Sequence, residues 1–354
     1  MDIEIIVGSD LGPQKVAEIA VEAEKAGVRT LWHSNFPSDW DPFVGLVPAA
    51  QATKKIKLGI LAISPYEMHP IRMASSLVAL NELSQGRAII GIGGGGAVAL
   101  SIGDGATDGS LDFRRMRIVR GVREAAEIIY RMASGKPNRG YKGELFNVTR
   151  PFHLKHVSAP RAQIFTCSMG PQMLRMGGRI ADGLQIGDVT PSRTPEVIAD
   201  IQVGLDKRAY PADDFRIGNF WAWHIKKDVE ASMYEARCQL FARAEVIAPN
   251  IGLDHLVHEK KITAEEAQLV RDNFTNFIMA MIDKSGVIKD VPEDLVQRLI
   301  DECSSSGDYD AIDREVERYR EFERAGLTDL ALRVFDEPME AVKVIAERVV
   351  PHFR

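Results

Sequence analysis

Short runs of apolar and β-branched residues alternate along this chain with longer segments of helical periodicity. Runs of this length and composition are typical of strands that are buried on both faces. The predicted strands are Ile3–Val7, Thr30–His33, Ile56–Ile63, Ala88–Ile92, Ile164–Cys167, Gly183–Ile186, Phe220–Ile225 and Thr328–Val334.

The segments between these strands predict helices with one apolar face. Gln14–Ala26, for example, places Val16, Ile19 and Ala23 together and ends before Gly27, a residue suited to a helix C-terminus. The predicted helices are Gln14–Ala26, Pro42–Thr53, Pro70–Leu83, Asp112–Ser134, Pro171–Ile180, Glu196–Lys207, Val229–Ala248 and Pro338–Val349. Eight strands in alternation with helices favour a closed α/β (β/α)8 TIM barrel over an open doubly wound sheet.

The barrel pattern extends over residues 1–354 and predicts a single domain, since barrels of this length routinely form one unit. Residues 249–325 interrupt the rhythm with polar helical segments and no evident strand. We expect this segment to be a helical insertion before the last strand. Long connections of this kind often cover the site of a barrel, so its expected place is near the barrel mouth.

Charge and cysteine content limit the possible partners. The net charge is −6 and no basic stripe is present, which argues against nucleic-acid binding. No segment approaches the ~20 consecutive apolar residues of a membrane span, and the N-terminus lacks the features of a signal peptide. Three cysteines far apart in sequence, Cys167, Cys238 and Cys303, indicate reduced thiols. We therefore expect a soluble cytoplasmic protein that binds neither nucleic acid nor a membrane.

In a parallel barrel the active site forms from the loops that follow the strands. After the fourth predicted strand comes the glycine run Gly93–Gly96, where backbone can approach a ligand closely. Gly91, Gly93 and Gly96 also fit the GxGxxG pattern of a dinucleotide-binding turn, although the following residues look like a loop and not a helix. A strand end that needs small residues for packing is a third interpretation.

The turn after the fifth predicted strand is the second candidate. Ser168, Met169 and Gly170 precede a helix that begins at Pro171. Free N–H groups and the positive end of the helix suit a cofactor phosphate there, although many strand–helix turns bind nothing.

The histidines do not form a convincing metal site. His153 and His156, like His255 and His258, are three residues apart but lack a full ligand set nearby. We expect them to be surface residues and predict no metal. Neither a GxSxG nor an HExxH motif is present, so hydrolase chemistry has no support.

Several of these segments together resemble the luciferase-like superfamily, and most of all its coenzyme F420-dependent branch. That branch includes methylenetetrahydromethanopterin reductases and F420-dependent sugar-phosphate and alcohol dehydrogenases. The resemblance covers residues 1–248 and 326–354. It is carried by EIAVEAEKAGVRTLWHSNF, DPFVGLVPAAQATKKIKLGI, HPIRMASSLVALNELSQGRAIIGIGGGG, YKGELFNV and GGRIADGLQIG, in that order.

The resemblance implies roles for particular residues. Asn35 stands where the family commonly has Asp, and Trp40 matches an aromatic residue beside the cofactor ring. Leu61 and Ala62 match a bulge with a non-prolyl cis peptide against the deazaflavin. The implied cofactor contacts are Asn35, Leu61, Ala62, Gly94, Gly95, Ser168, Met169 and Gly170, and the implied catalytic residues are Asn35 and Trp40.

The chain departs from the family pattern at three places. Phe36 replaces the usual histidine after Asn35, Gly96 replaces a glutamate of the sugar-phosphate dehydrogenases, and Ile6 and Val7 stand where methylene reductases have a carboxylate. The substrates of those subgroups therefore cannot be assigned to this chain. The resemblance also implies a homodimer formed through the barrel helices.

The expected function is an F420-dependent oxidoreductase that moves a hydride between the deazaflavin and a small organic substrate. Glu67 and His69, in the loop after the third strand, are candidate proton donors, although both could be ordinary loop residues. Two alternatives are an FMN-dependent monooxygenase of the same fold and a non-catalytic flavin-binding protein.

Overall fold

A computed structural model describes residues 1–95, 116–209, 214–243 and 252–353 of the chain. Within these residues, eight parallel strands close into a barrel in the order β1-β2-β3-β4-β7-β8-β9-β11, with β11 returning to β1. The barrel strands are β1 (Asp2–Val7), β2 (Thr30–Ser34), β3 (Lys57–Ile63), β4 (Ala88–Ile92), β7 (Gln163–Cys167), β8 (Gly183–Gly187), β9 (Arg216–Trp223) and β11 (Asp329–Arg333). The predicted (β/α)8 barrel is confirmed.

Helices surround this barrel and cover the outward faces of its strands. They are α1 (Pro13–Lys25), α2 (Pro42–Gly45), α3 (Val47–Ala52), α4 (Pro70–Leu83), α5 (Ile118–Ala133), α6 (Pro171–Ile180), α7 (Thr194–Leu205), α8 (Val229–Gln239), α13 (Ile312–Ala325) and α14 (Pro338–Arg348). The bounds predicted for β4, α4 and α6 coincide with those observed. No described helix combines the length and apolar character needed to cross a bilayer.

Three local expectations differ from the structure. Pro42–Thr53 forms two short helices instead of one, since Pro48 lacks the N–H that a continuous helix would use there. No element was predicted in the segment Tyr141–Val157, which contains the short antiparallel pair β5 (Tyr141–Lys142) and β6 (Asn147–Val148). Strand β9 begins at Arg216, four residues before the predicted start.

The segment predicted as an insertion contains four helices that share a second apolar core. They are α9 (Gly252–His258), α10 (Ala264–Asp272), α11 (Phe274–Ile282) and α12 (Glu293–Cys303). Leu253, Val270, Phe277 and Leu299 belong to this core, which also includes residues of α8. A two-residue strand, β10 (Ser304–Ser305), then pairs with β9, where no strand was expected.

Helix α13, also within 249–325, belongs to the barrel wall. Its buried Tyr319 and Phe322 join the main core, and the Phe322 ring lies 5.3 Å from that of Trp221 on β9. The described part of the segment thus comprises four helices with their own core and one helix packed on the barrel.

The barrel interior is filled by side chains of unequal size. Ile6, Trp32, Ile89, Phe165 and Ala331 form one buried cluster at its centre. The glycine at position 59 makes room for the indole of Trp32, because a Cβ on Gly59 would lie 2.2 Å from Trp32 Cε3. A large residue on one strand is therefore matched by the absence of a side chain on the next.

The carboxylate of Glu4 lies fully buried in the lower half of this interior and connects three strands. Its Oε1 accepts hydrogen bonds from Thr30 Oγ1 (2.6 Å) and Arg29 Nη1 (2.8 Å). Its Oε2 accepts from Trp32 Nε1 (2.6 Å) and from Gln185 Nε2 (3.0 Å) on β8. Burial is the main cause that raises the pKa of Glu4, to about 7, while the four donors, Arg29 among them, stabilise the charged form.

We predict that Glu4→Gln lowers the free energy of unfolding by about 3 kcal/mol, because an amide N–H2 would face donors and Arg29 would lose its nearest carboxylate partner. Chemical denaturation followed by circular dichroism measures the change. The matched control is Glu18→Gln, whose carboxylate forms an exposed pair with Lys15 and should leave stability nearly unchanged. Equal stability of the Glu4 and Glu18 variants would contradict the structural role of Glu4.

Candidate active site

The ends of β2 and β3 bring Asn35 and Glu67 together. Asn35 Nδ2 donates to Glu67 Oε1 (2.9 Å) and to the backbone oxygen of Ala62 (3.2 Å). The peptide bond between Leu61 and Ala62 is cis, the form that the family resemblance implies there, and the β3–β4 register shifts between Ile60 and Ile63. Asn35 therefore joins the bulge of β3 to a carboxylate on the following loop.

Glu67 is half-buried and only one of its oxygens is engaged within the described residues. Oε1 accepts from Asn35 Nδ2 and from the backbone N–H of Ser64, and Oε2 has no described partner. Burial raises the pKa of Glu67, although both hydrogen bonds oppose this shift. A carboxyl group held in place with one oxygen available is suited to proton transfer.

The second candidate of this loop, His69, has a structural role. Its Nδ1 accepts from the backbone N–H of Ile71 (3.3 Å) and so caps α4, and its ring packs edge-on against Phe146. The structure thus brings Glu67 to Asn35 and uses His69 at the helix start.

The glycines after β4 lie against β3 and β7. A Cβ on Gly93 would meet both Ala62 Cβ (3.3 Å) and Cys167 Cβ (3.4 Å), so small residues are needed for packing at this point. Gly95 has φ +72°, and a Cβ there would lie 2.4 Å from Ser64 Cβ. The dinucleotide-turn interpretation does not apply, because β4 is paired on both sides within a closed barrel. Gly96 lies outside the described residues.

The turn that was predicted to bind a phosphate lies at the end of β7. The Gly170 backbone is extended at the start of α6, no side chain caps the helix, and a Cβ on Gly170 would meet nothing within 4 Å. Ser168 is buried and its N–H donates to Gln185 O (3.0 Å), while Met169 is exposed. The first N–H groups of α6 face no acidic side chain in the first turn, which suits an anion.

Trp40 lies on the loop after β2, and its side chain forms no hydrogen bond with Asn35. Both Trp40 and Phe36 are 49% exposed, and the Trp40 N–H donates to Ser9 O (3.1 Å) in the loop after β1. These aromatic side chains border the barrel mouth, by which we mean the opening at the C-terminal ends of the strands.

Charged residues that sequence reasoning missed occupy the opposite side of the mouth. Arg333 ends β11, and Arg243 follows α8 and forms an ion pair with Asp188 (2.9 Å). Nearby, His224 Nδ1 lies 2.8 Å from Glu235 Oε1, and the His224 ring stacks on Phe335 at 4.8 Å. No motif marks these residues; for Arg333 the one available signal is a charged residue at the C-terminal end of a predicted barrel strand.

One histidine of each pair contacts a residue far from it in sequence. His153 Nε2 lies 3.0 Å from Gly135 O, and His255 Nε2 lies 3.0 Å from Ser192 Oγ. Across the part of the chain that the structure describes, no three His, Cys, Asp or Glu side chains are grouped as metal ligands.

Fold and site together define a (β/α)8-barrel protein whose polar and glycine-rich strand ends converge on one mouth. Residues 7–329 match the family model described as luciferase-like monooxygenase, and the chain belongs to this family.

Reductases and dehydrogenases are among the similar proteins. The 5,10-methylenetetrahydromethanopterin reductase of Methanopyrus kandleri is 25% identical over 364 residues, which cover 97% of this chain and 95% of that protein. The solved structure of coenzyme F420-dependent tetrahydromethanopterin reductase from the same organism has a TM-score of 0.77 at 22% identity and covers 100% of this chain and 99% of that one. The structure of an F420-dependent secondary alcohol dehydrogenase, solved with an F420–acetone adduct, has a TM-score of 0.71 at 15% identity. The match covers 100% of this chain and 99% of that one.

We predict that Gly95→Ala lowers the free energy of unfolding by about 1–3 kcal/mol, because its positive φ and the nearby Ser64 both disfavour a side chain. Thermal and urea unfolding measure the effect. Gly12→Ala is the matched control, since Gly12 has φ −61° and open space around the added methyl group. If both variants unfold alike, the close approach of the β4 end to Ser64 is refuted.

Proposed function

We propose that this protein is an F420-dependent oxidoreductase that transfers a hydride between the deazaflavin and a small organic substrate. The observation that carries the proposal is the convergence of the β3 bulge, the β4 glycines and the Asn35–Glu67 pair at one side of the mouth. The proposal is also supported by the similarity of nearly the whole chain to a methylenetetrahydromethanopterin reductase.

The residues present fit a planar ring that carries a phosphate. Gly94 and Gly95 offer backbone without side chains beside the ring position, and Leu61 and Ala62 offer the bulge. The start of α6, with Ser168, Met169 and Gly170 before it, supplies uncapped N–H groups for the phosphate. The deazaflavin, when bound, supplies two-electron hydride chemistry.

Asn35 and Glu67 would orient and protonate the reacting groups. The bond from Asn35 Nδ2 fixes Glu67 Oε1, which leaves Oε2 to give or take a proton. Because the pKa of Glu67 is raised, a larger fraction of its carboxyl groups is protonated at a given pH, as a proton donor requires. Trp40 and Phe36 are exposed and would pack against a bound ligand at the rim of the mouth. They would thereby exclude water from the reacting groups.

The four helices of the insertion would cover the mouth beside β8 and β9. His255 on α9 contacts Ser192, in the loop after β8, and α8, whose end leads to Arg243, shares the insertion core. These contacts support a place near the mouth, from which the insertion would select the substrate.

A homodimer formed through the barrel helices and a cytoplasmic location are also part of the proposal. Cys167, Cys238 and Cys303 are not joined in disulfides, in keeping with a reducing compartment.

We predict that the purified protein binds F420 at least about tenfold more tightly than FMN, measured by quenching of each cofactor's fluorescence. The reverse preference, with oxygen consumption when reduced FMN is supplied, would favour the second candidate, an FMN-dependent monooxygenase suggested by the family description. Tight F420 binding without turnover of any aldehyde, alcohol, imine or pterin would indicate a non-catalytic flavin-binding protein.

We predict that Asn35→Ala lowers kcat about 100-fold with the best substrate of that screen, because Glu67 loses the bond that orients it. The Kd of F420 should change by less than about twofold, since backbone groups supply most of the cradle. Asn147→Ala, which removes an exposed amide on β6, is the control. Unchanged turnover in Asn35→Ala would exclude the positioning role.

A further inference from the structure

Two arginines stand across the mouth from the candidate cofactor cradle. In the closed sheet β11 lies four strands from β4 in either direction, so its end faces Gly94 and Gly95 across the opening. Arg333 is the last residue of β11, and Arg243 stacks over Phe220 of β9, with 5.1 Å between the guanidinium carbon and the ring centre.

Arg333 points inward and reaches toward the catalytic side of the mouth. It pairs in register with Ile6 and lies one inward position above Ala331, both residues of the barrel interior. Its Nη1 donates to the hydroxyl of Ser34, the residue before Asn35. Among the described residues this hydroxyl is the one hydrogen-bond partner of Arg333, and no described carboxylate forms an ion pair with it.

Arg243 stands behind Arg333 and adds positive charge. Both guanidinium carbons lie near the Phe335 ring, at 5.2 Å for Arg333 and 5.9 Å for Arg243. Arg243 is 3% exposed; its Nη1 binds Asp188, and its buried Nε has no partner among the described residues.

The charges around these arginines do not balance. Of the two arginines, only Arg243 forms an ion pair within the described residues, with Asp188, while Asp10 attracts Arg333 from a greater distance. Burial, and next the charge of Arg243, lowers the pKa of Arg333 to about 10, which leaves it charged at neutral pH. A half-buried guanidinium with unused donors is a strong site for a planar or tetrahedral oxyanion, which it can bind with two parallel hydrogen bonds.

We infer that Arg333, reinforced by Arg243, binds an oxyanion of the substrate, so the substrate class is a small organic acid or a phosphorylated compound. The cofactor phosphate has its own candidate site after β7, on the far side of the mouth. A substrate held by Arg333 would lie between that arginine and the cradle, with its reacting carbon near Asn35 and Glu67. This inference rests on the proposed oxidoreductase function.

The experiment measures anion binding separately from catalysis. The full-length protein is melted with increasing inorganic phosphate, and separately with acetate, each against sodium chloride at equal ionic strength. We expect a saturable rise in Tm with at least one of them. A rise with phosphate alone indicates a phosphorylated substrate, and a rise with acetate indicates a carboxylate.

Variants then assign the effect to Arg333. Arg333→Gln should weaken the binding of the effective anion at least about tenfold, and Arg333→Lys should retain part of it. Lys226→Gln is the control, because Lys226 lies at the same end of the barrel but is already paired with Glu235 at 2.7 Å. If Arg333→Gln does not fold, Arg333→Lys still tests whether Arg333 binds the anion. This variant keeps the positive charge but loses the two parallel hydrogen-bond donors of the guanidinium.

The inference would be overturned if neither anion raised Tm more than sodium chloride does, or if anion affinity were unchanged in both Arg333 variants. It would also be overturned by a tenfold loss of F420 affinity in these variants, because that result would assign the arginine to the cofactor. Failure of the wild-type protein to bind F420 is a different result, which refutes the proposed function. An organic acid and its neutral analogue are then compared as substrates. The acid should have the higher kcat/KM with the wild-type protein, but not with the Arg333 variants.

Discussion

The barrel depends on one buried carboxylate that reaches across its interior. Glu4 on β1 accepts hydrogen bonds from Thr30 and Trp32 of β2 and from Gln185 of β8 on another side of the sheet. Desolvation of such a group is costly unless donors surround it, and here four donors do. The same bonds fix the indole of Trp32, which fills the space left by Gly59. Glu4 thus both accepts the buried hydrogen bonds and fixes the position of the largest side chain in the barrel interior.

The opposite end of the barrel has a different character. At the C-terminal strand ends the charges are less fully matched: within the described residues Glu67 Oε2 has no hydrogen-bond partner, and Arg333 donates a hydrogen bond to the Ser34 hydroxyl alone. Parallel barrels typically separate a stabilising end from a functional one in this way. The free polar atoms at the mouth cost stability, and ligand binding would compensate for that cost.

The two walls of the mouth offer complementary chemistry. The β3, β4 and β7 ends present backbone and small residues, with Gly95 held in a left-handed conformation against Ser64, and so suit a flat ring. The β9 and β11 ends present Arg243 and Arg333 around Phe335, and so suit an anion. A hydride acceptor or donor placed between these walls would be oriented by both, with Glu67 beside it.

The sequence alone determined the barrel and several element bounds, because strand and helix periodicities are local properties; β4, α4 and α6 were predicted at their observed limits. It also marked Asn35, the β3 bulge and the glycine run, which belong to contiguous motifs. Only the tertiary structure showed that Asn35 binds Glu67 and not His69, and that Arg243 and Arg333 share one aromatic ring. Asn35 and Glu67, like Arg243 and Arg333, are far apart in sequence, so the pairing of neighbouring strands, β2 with β3 and β9 with β11, brings them together.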